Sequence, residues 1–318
     1  MKVLSPWLAV LKQVRLAGFW LCLVWLSASH PALAASLAIV LSDDSAPYQE
    51  VFEAIRVRSD DRDISVSRIY APDATEAMIN ARLVVAVGVR AAESVANLPG
   101  RAPVLVVLVP KNWYRKTGKV RLTGNARRSV SAIYLDQPYA RQVNLIRLAF
   151  PDIKRVGVLV SASEAAVHEE IGSALRAQGL TLVGEILEVD QKLIVPLEKI
   201  FLQADLMLAL PDPEVFNRTS AQSVLLTSYR YHDPVVGYSR SLTRAGALVS
   251  LYSTPTQIGR QAAEMILKQF ESANSHLPDA VYPRYFSVSV NLQVARALGF
   301  TMLPEAELER RLAGSSDD

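Results

Sequence analysis

The stretch Asp136–Ser161, DQPYARQVNLIRLAFPDIKRVGVLVS, sets the plan of the chain. Asp136 is placed to cap a helix, and Pro138 falls in its first turn, where a missing N–H costs little. Val143, Ile146 and Phe150 recur at i, i+3 and i+7 as one apolar stripe, and Pro151 stops the helix. KRVGVLVS (154–161) then reads as a strand that is apolar on both faces, the signature of a parallel sheet covered by helices. A helix followed by a buried strand halfway along marks where one sheet ends and a second begins.

Upstream, four strand candidates precede this unit: SLAIVLS (36–42), ISVSRIY (64–70), ARLVVAVG (81–88) and APVLVVLVP (102–110). Helix-like segments, such as 48–56 and 91–97, lie between them. Downstream the pattern restarts. A helix over 164–177 closes at Gly179, and TLVGEILEV (181–189) is a strand. A helix over 193–203 is interrupted near its start by Pro196. ADLMLALPD (204–212), a mostly helical 214–230 and DPVVGYS (233–239) follow. This alternation predicts an α/β protein with two doubly wound, Rossmann-like lobes.

The end of the chain adds GALVSLYS (246–253), then a helix capped by Thr254 with Pro255 at its first position. Ile258, Ala262, Met265, Ile266 and Phe270 mark its inner face. YFSVSVN (285–291) and a short helix closed by Gly299 come last. That is one unit more than the second sheet needs. If it returns to the first sheet and the final strand crosses back, three crossovers join the lobes. The expected division is 35–134 plus 241–281 for the first lobe and 135–240 plus 282–318 for the second. Three parallel tethers permit bending and resist sliding, so the lobes can close like a clamshell.

The N-terminus reads as a cleavable export signal over residues 1–34. Lys2, Lys12 and Arg15 precede an apolar run, and Ala32-Leu33-Ala34 is a small-x-small cleavage pattern. The mature protein is then expected in the periplasm, which the absence of cysteine after the signal fits at least as well as an extracellular fate. The single cysteine, Cys22, lies in that run, without the small residues before it that a lipoprotein signal carries, so no lipid anchor is expected. The remainder has no cysteine for disulfides or thiolate metal sites. Removing the three basic residues of the signal from 34 Lys plus Arg matches the 31 Asp plus Glu, and such a balance gives no footprint for nucleic acid.

DQPYARQVNLIRLAFPDIKRVGVLVS, ADLMLALPD, DPVVGYS, RAGALVSLYSTPTQIGRQAAEMILK and VNLQVARALGFTMLPEAELE, in this order, resemble the ABC-transporter substrate-binding proteins of the tryptophan/tyrosine-binding type. The resemblance implies the type I periplasmic-binding-protein fold, a small-molecule ligand such as an amino acid or related solute, and an ABC permease or another membrane receptor as partner. It implies no cofactor and no metal. At the ligand positions the chain departs from the family's usual residues. Lys111-Asn112-Trp113 stand where an Asp-Pro pair is common. Asp212 alone remains of a Thr-Asp-Asn, and Ser253-Thr254 replace Asp-Tyr.

In open α/β sheets ligands sit beyond the carboxyl ends of the strands, where helix N-termini favour anionic groups. That rule selects Ser42 and Asp43, Gly88 and Arg90, and Lys111, Asn112 and Trp113 in the first lobe. In the second it selects Ser161, Asp212, Tyr238 and Ser239, with Tyr252 after the returning strand. Asp212 either holds a ligand ammonium or hydroxyl or caps the helix that follows. Trp113 and Tyr238 either stack on a ring or fill the hinge. Arg90 and Lys111 either neutralise a carboxylate or phosphate or stay solvated.

No phosphate-binding glycine motif and no G-x-S-x-G elbow occurs, and His168, His232 and His276 are scattered and read as surface residues. The residues therefore point to a binding protein rather than an enzyme. Two functions fit: a periplasmic receptor that hands its solute to an ABC permease, or a sensory or scaffold module that docks on a membrane receptor, sensor kinase or envelope machine.

Overall fold

The computed structural model describes residues 36–315, apart from 63, 76–80, 125–127, 218 and 273–275. The export signal predicted at 1–34 lies outside these residues. The first sheet is built from β1 (Ser36–Leu41), α1 (Ala46–Asp60), β2 (Ser65–Tyr70), β3 (Leu83–Val87), α2 (Val89–Ala96), β4 (Val104–Val109), α3 and β5 (Val130–Tyr134). Helix α3 consists of Lys111–Trp113, a π turn Tyr114–Gly118, and Lys119–Thr123. The strands run parallel in the order β2-β1-β3-β4-β5.

The second sheet begins with α4 (Tyr139–Ala149), β6 (Arg155–Ser161), α5 (Val167–Ala177), β7 (Thr181–Leu187), α6 (Ile194–Gln203) and β8 (Leu206–Leu208). It continues with α7 (Ser220–Tyr231), β9 (Val235–Gly237), α8 (Arg240–Ala245) and β10 (Val249–Tyr252). After α9 (Pro255–Glu271) come β11 (Ser287–Val290), α10 (Leu292–Ala297) and α11 (Glu305–Ala313). The order is β11-β10-β9-β8-β6-β7, parallel except for β11, which runs against β10. The result is the expected α/β, two-lobed layout.

Burial on both faces explains why the inner strands are apolar throughout, while the edge strands β2 and β7 carry polar, exposed residues. Leu37, Ile39 and Leu41 of β1 pack on α1 and on Ile258, Ala262 and Ile266 of α9. Ala38 and Val40 point to the other face, against Ala91, Ala92 and Val95 of α2 and Leu122 of α3. In the second lobe Val156, Val158 and Val160 face Val143, Ile146 and Phe150 of α4, while Leu159 faces Leu197 and Ile200 of α6. The stripe read from the opening stretch is thus the seat of the second core.

The chain passes between the sheets three times, after β5, after β10 and after Val281, which bridges Ile133 at the edge of the first sheet. The lobe division needs one correction. GALVSLYS does not return to the first sheet: β10 pairs with β9 and β11 in the second. Alternation alone cannot say which sheet takes a strand. The segment that returns is α9, whose inner stripe completes the first core.

Hydrogen bonds tie the three crossovers to one another. Gln137 Nε2 of the first donates to Ser253 Oγ of the second at 2.8 Å, and Ser253 Oγ donates to the Tyr285 carbonyl of the third at 2.6 Å. The buried Arg141 donates to Gln137 Oε1 and to the Pro283 carbonyl, both at 2.8 Å, and lies over the Phe286 ring.

Local expectations were met unevenly. Thr254 caps α9 through a full capping box with Gln257. Asp136 does not cap α4. Pro138 holds that position without a side-chain bond, and Asp136 Oδ2 instead accepts from Lys111 N at 2.6 Å. Pro196 does not interrupt α6, because it falls in the first turn, where its missing N–H has no partner to lose. The helix expected over 214–230 begins only at Ser220. His168 is not a surface residue: it is half-buried against Gly184 of β7, and burial lowers its pKa.

At the amino ends of the second sheet, Asp205 accepts from Lys154 N, Arg155 N and the Arg155 guanidinium. Asp233 nearby is half-buried, and burial, with a further contribution from the Asp205 charge, raises its carboxyl to about 6. The sign follows from linkage. The folded chain holds this proton more tightly than the unfolded one, so the stability it brings is full below the unfolded value of 3.8 and is lost as pH rises through about 6. Asp233→Asn should therefore raise the thermal midpoint by about a few degrees at pH 7 and by much less near pH 3.5. Equal gains at both pH values would refute the assignment.

Candidate functional site: the interlobe cleft

A cavity of about 490 Å³ lies between the lobes at the carboxyl ends of both sheets. The first lobe contributes Val89 after β3, Pro110 to Trp113 after β4, and Arg115 to Thr117 of α3. The second contributes Val160 near the end of β6, Ser163 and Glu164 after it, Val167 and Glu170 of α5, and Leu210 to Pro213 after β8. Asp136 and Tyr139, from the first crossover and the start of α4, close the hinge side. The wall is apolar for much of its area, with a few convergent polar groups, as small-molecule sites are.

Of the expected ligand residues, Lys111, Asn112, Trp113 and Asp212 line this cavity. Lys111-Asn112-Trp113 is not a loop but the first turn of α3, which starts directly from the extended Pro110. The Trp113 ring lies across Gly118, where a Cβ would come within 2.6 Å of it, so glycine there seats the indole. Asp212 is 96% buried and bound by the backbone. Its Oδ2 accepts from Ser161 N at 2.7 Å and its Oδ1 from Glu214 N at 3.0 Å. It joins the end of β6 to the turn after β8 and thereby fixes the second wall. Ser161 is buried with its Oγ on Ser163 Oγ.

The other expected residues serve neighbouring structure. Ser42 Oγ donates to the Val87 carbonyl and accepts from Ala91 N, standing in as cap for α2. It does so because the N-cap itself is Gly88, whose φ of 89° and contacts with Ser42 and Tyr48 leave no room for a side chain. Asp43 accepts from Ser45 N, and Arg90 lies exposed 3.8 Å from it. Tyr238 packs edge-on against Phe216. Ser239 caps α8 by accepting from Leu242 N. Tyr252 is half-buried beside Ser289.

Groups that sequence reasoning passed over, Glu170, Tyr282, Arg115, Lys116 and Glu164, gather around the expected Lys111 and set the electrostatics. Lys111 Nζ lies 2.6 Å from Glu170 Oε2 and 5.5 Å from the ring centres of both Tyr139 and Tyr282. Tyr114, Tyr134 and Tyr282 contact edge to face in series, which steadies that cage from beneath. Burial opposes the charge on Lys111, but its bonds to Glu170 and Tyr282 outweigh this and raise its pKa. Arg115 Nη1 reaches Glu170 at 3.3 Å. Lys116 Nζ donates to the Ser163 carbonyl at 2.6 Å and lies 3.5 Å from Glu164, which also accepts from the Asn112 amide. Burial raises the Glu164 carboxyl; burial also opposes the charge on Glu170, but Lys111 and Arg115 together outweigh it and lower that carboxyl. Among the described residues no group of three or more metal-ligating side chains occurs, and no helix is long and apolar enough to cross a membrane.

Two hinged α/β lobes around a cleft at their strand ends define a binding protein of the type I periplasmic fold. The chain belongs to the ABC transporter substrate-binding protein family, whose model matches residues 77–309. Members of that family are extracytoplasmic binding proteins, not enzymes. Among solved structures, the ligand-free, open form of CD0873, a substrate-binding protein with adhesive properties from Clostridium difficile, is similar at a TM-score of 0.67 and 15% identity. It covers 86% of this chain and 97% of its own. The ABC domain from Streptococcus pneumoniae in complex with L-Trp has a TM-score of 0.57 and 16% identity, over 86% of this chain and 98% of its own. A conserved domain protein from Vibrio cholerae has a TM-score of 0.58 and 18% identity, over 87% and 98%. No curated protein matches the chain.

Proposed function

We propose that the protein is a periplasmic solute receptor that closes on a small molecule in the interlobe cleft and presents it to an ABC permease. It catalyses no reaction. One observation carries this reading: the cavity takes its walls from both lobes and lies where the strand ends of both sheets converge. A solute held there contacts two half-sites at once, so binding and closure are one event. Cations line the first-lobe wall and carboxylates the second, beside Trp113 and Tyr139, which suits a solute with charged or polar ends and an apolar body, such as an amino acid or related compound. The L-Trp bound to the Streptococcus pneumoniae relative supports this class.

A second reading, a sensory or scaffold clamshell docking on a membrane receptor, is favoured by the same wall groups. Lys111, Asn112 and Lys116 already have partners in Glu170 and Glu164. A thermal-shift screen of amino acids, nucleosides, sugars and organic anions separates the two. A true solute at a hundred times its Kd adds about 2.7 kcal/mol of stability. A flat screen on folded protein refutes solute binding.

A further inference from the structure

We propose that the polar contacts between α3 and the segment 162–170 form a latch, by which the chain's own side chains hold the two lobes shut. All of the cations come from one lobe and all of the carboxylates from the other. Lys111 and Arg115 meet Glu170, and Lys116 meets Glu164. Asn112 adds an amide bond to Glu164, and Lys116 a bond to the Ser163 carbonyl. Each contact exists only when the lobes are together, so each favours the closed form over the open one.

Position decides which contacts matter. Arg115 has a side chain 60% exposed, and solvent screens its pair. Lys111 is 17% exposed against a Glu170 that is 42% exposed, and Glu164 is 22% exposed against a Lys116 that is 54% exposed, so the Lys111–Glu170 pair, whose lysine faces the cavity, is the least screened of the three. Lys111 is also held by the two tyrosine rings and by the backbone bond of its own N–H to Asp136 in the first crossover. The latch is therefore anchored at the hinge, and opening of the cleft there pulls its pairs apart. A solute that enters must compete with these pairs or leave them in place as a lid.

The test uses the full chain with Cys22 replaced by serine and labels on cysteines at Val120 and Val189. These two sites are exposed, one on each lobe, and take no part in the latch. Single-molecule energy transfer is read with no solute added, so the outcome does not depend on whether a solute is ever found. At low salt, where the Debye length is about 30 Å, one short distance should dominate. In 1 M salt, where it is about 3 Å, the closed-to-open ratio should fall about tenfold. Glu170→Lys should cause a similar fall at low salt, and Lys111→Glu combined with it should restore the short distance. Circular dichroism checks that both variants fold; if either does not, the salt titration of the labelled parent decides. A distance distribution unchanged by salt, or by Glu170→Lys, would overturn the latch.

Discussion

Phe150→Ala is expected to lower the unfolding free energy by about 3–5 kcal/mol, a large part of the stability of an ordinary domain. Phe150 is 2% exposed and ends α4 directly over the second sheet. It packs with Val143, Ile146 and Val156 and meets Phe300 edge to face, with ring centres 5.3 Å apart. Truncation removes the ring, leaves a cavity and breaks an aromatic pair. Pro151 and the strand behind it fix the backbone, so collapse into the cavity is limited. Urea denaturation measures the effect, and Phe150→Leu, which keeps much of the volume, should lose clearly less. A loss below about 1 kcal/mol for Phe150→Ala would mean that α4 does not sit on β6 as described.

Asp212→Ala is expected to cost about 3 kcal/mol, from the buried Ser161 N–H and the part-buried Glu214 N–H left without this partner at about 1–3 kcal/mol each, the second reduced by water from the cleft. Ser161 N and Glu214 N both end on this carboxylate. The substitution should also loosen the second wall, which the residue holds together by joining the end of β6 to the turn after β8. Asp212→Asn retains one acceptor oxygen and should lose about half as much. Hydrogen exchange then distinguishes the roles of Asp212: a wall residue gives faster exchange at Ser161 and Glu214 in the solute-free protein. A purely ligand-binding Asp212 would leave both rates and the stability unchanged.

The fold was legible because its signals are local and periodic. Strands apolar on both faces, the stripe Val143-Ile146-Phe150, and the Thr254-Pro255 helix start each follow from nearest neighbours along the chain. The destination of β10 was not legible, since a parallel strand carries no mark of the sheet that accepts it. The site was half legible. The carboxyl-end rule found the turns after β4 and β8, and so Lys111, Asn112, Trp113 and Asp212, though not the partners Lys111 meets. It also selected Ser42 and Ser239, because a small hydroxyl at a strand end serves a neighbouring helix as readily as a ligand.

What the rule missed was tertiary. Lys111 and Glu170 are 59 residues apart, and no periodicity joins them. A signal did exist. The cations of KNWYRK (111–116) follow one strand end, and the carboxylates of SEAAVHEE (163–170) follow another. Opposite charges at two strand ends that share a cleft are placed to meet. Asp136 was misjudged for a related reason: a capping residue type stood where the structure needed an acceptor for the first N–H of α3.

If the two lobes jointly build one solute site, both must respond to the same solute. Hydrogen exchange with mass spectrometry tests this most directly, comparing the protein alone with the protein saturated by whichever screened solute most raises its thermal midpoint. Protection is expected together at 110–117 in the first lobe and at 160–170 and 210–213 in the second. Protection confined to one lobe, or appearing instead between α1 and α9, would contradict it.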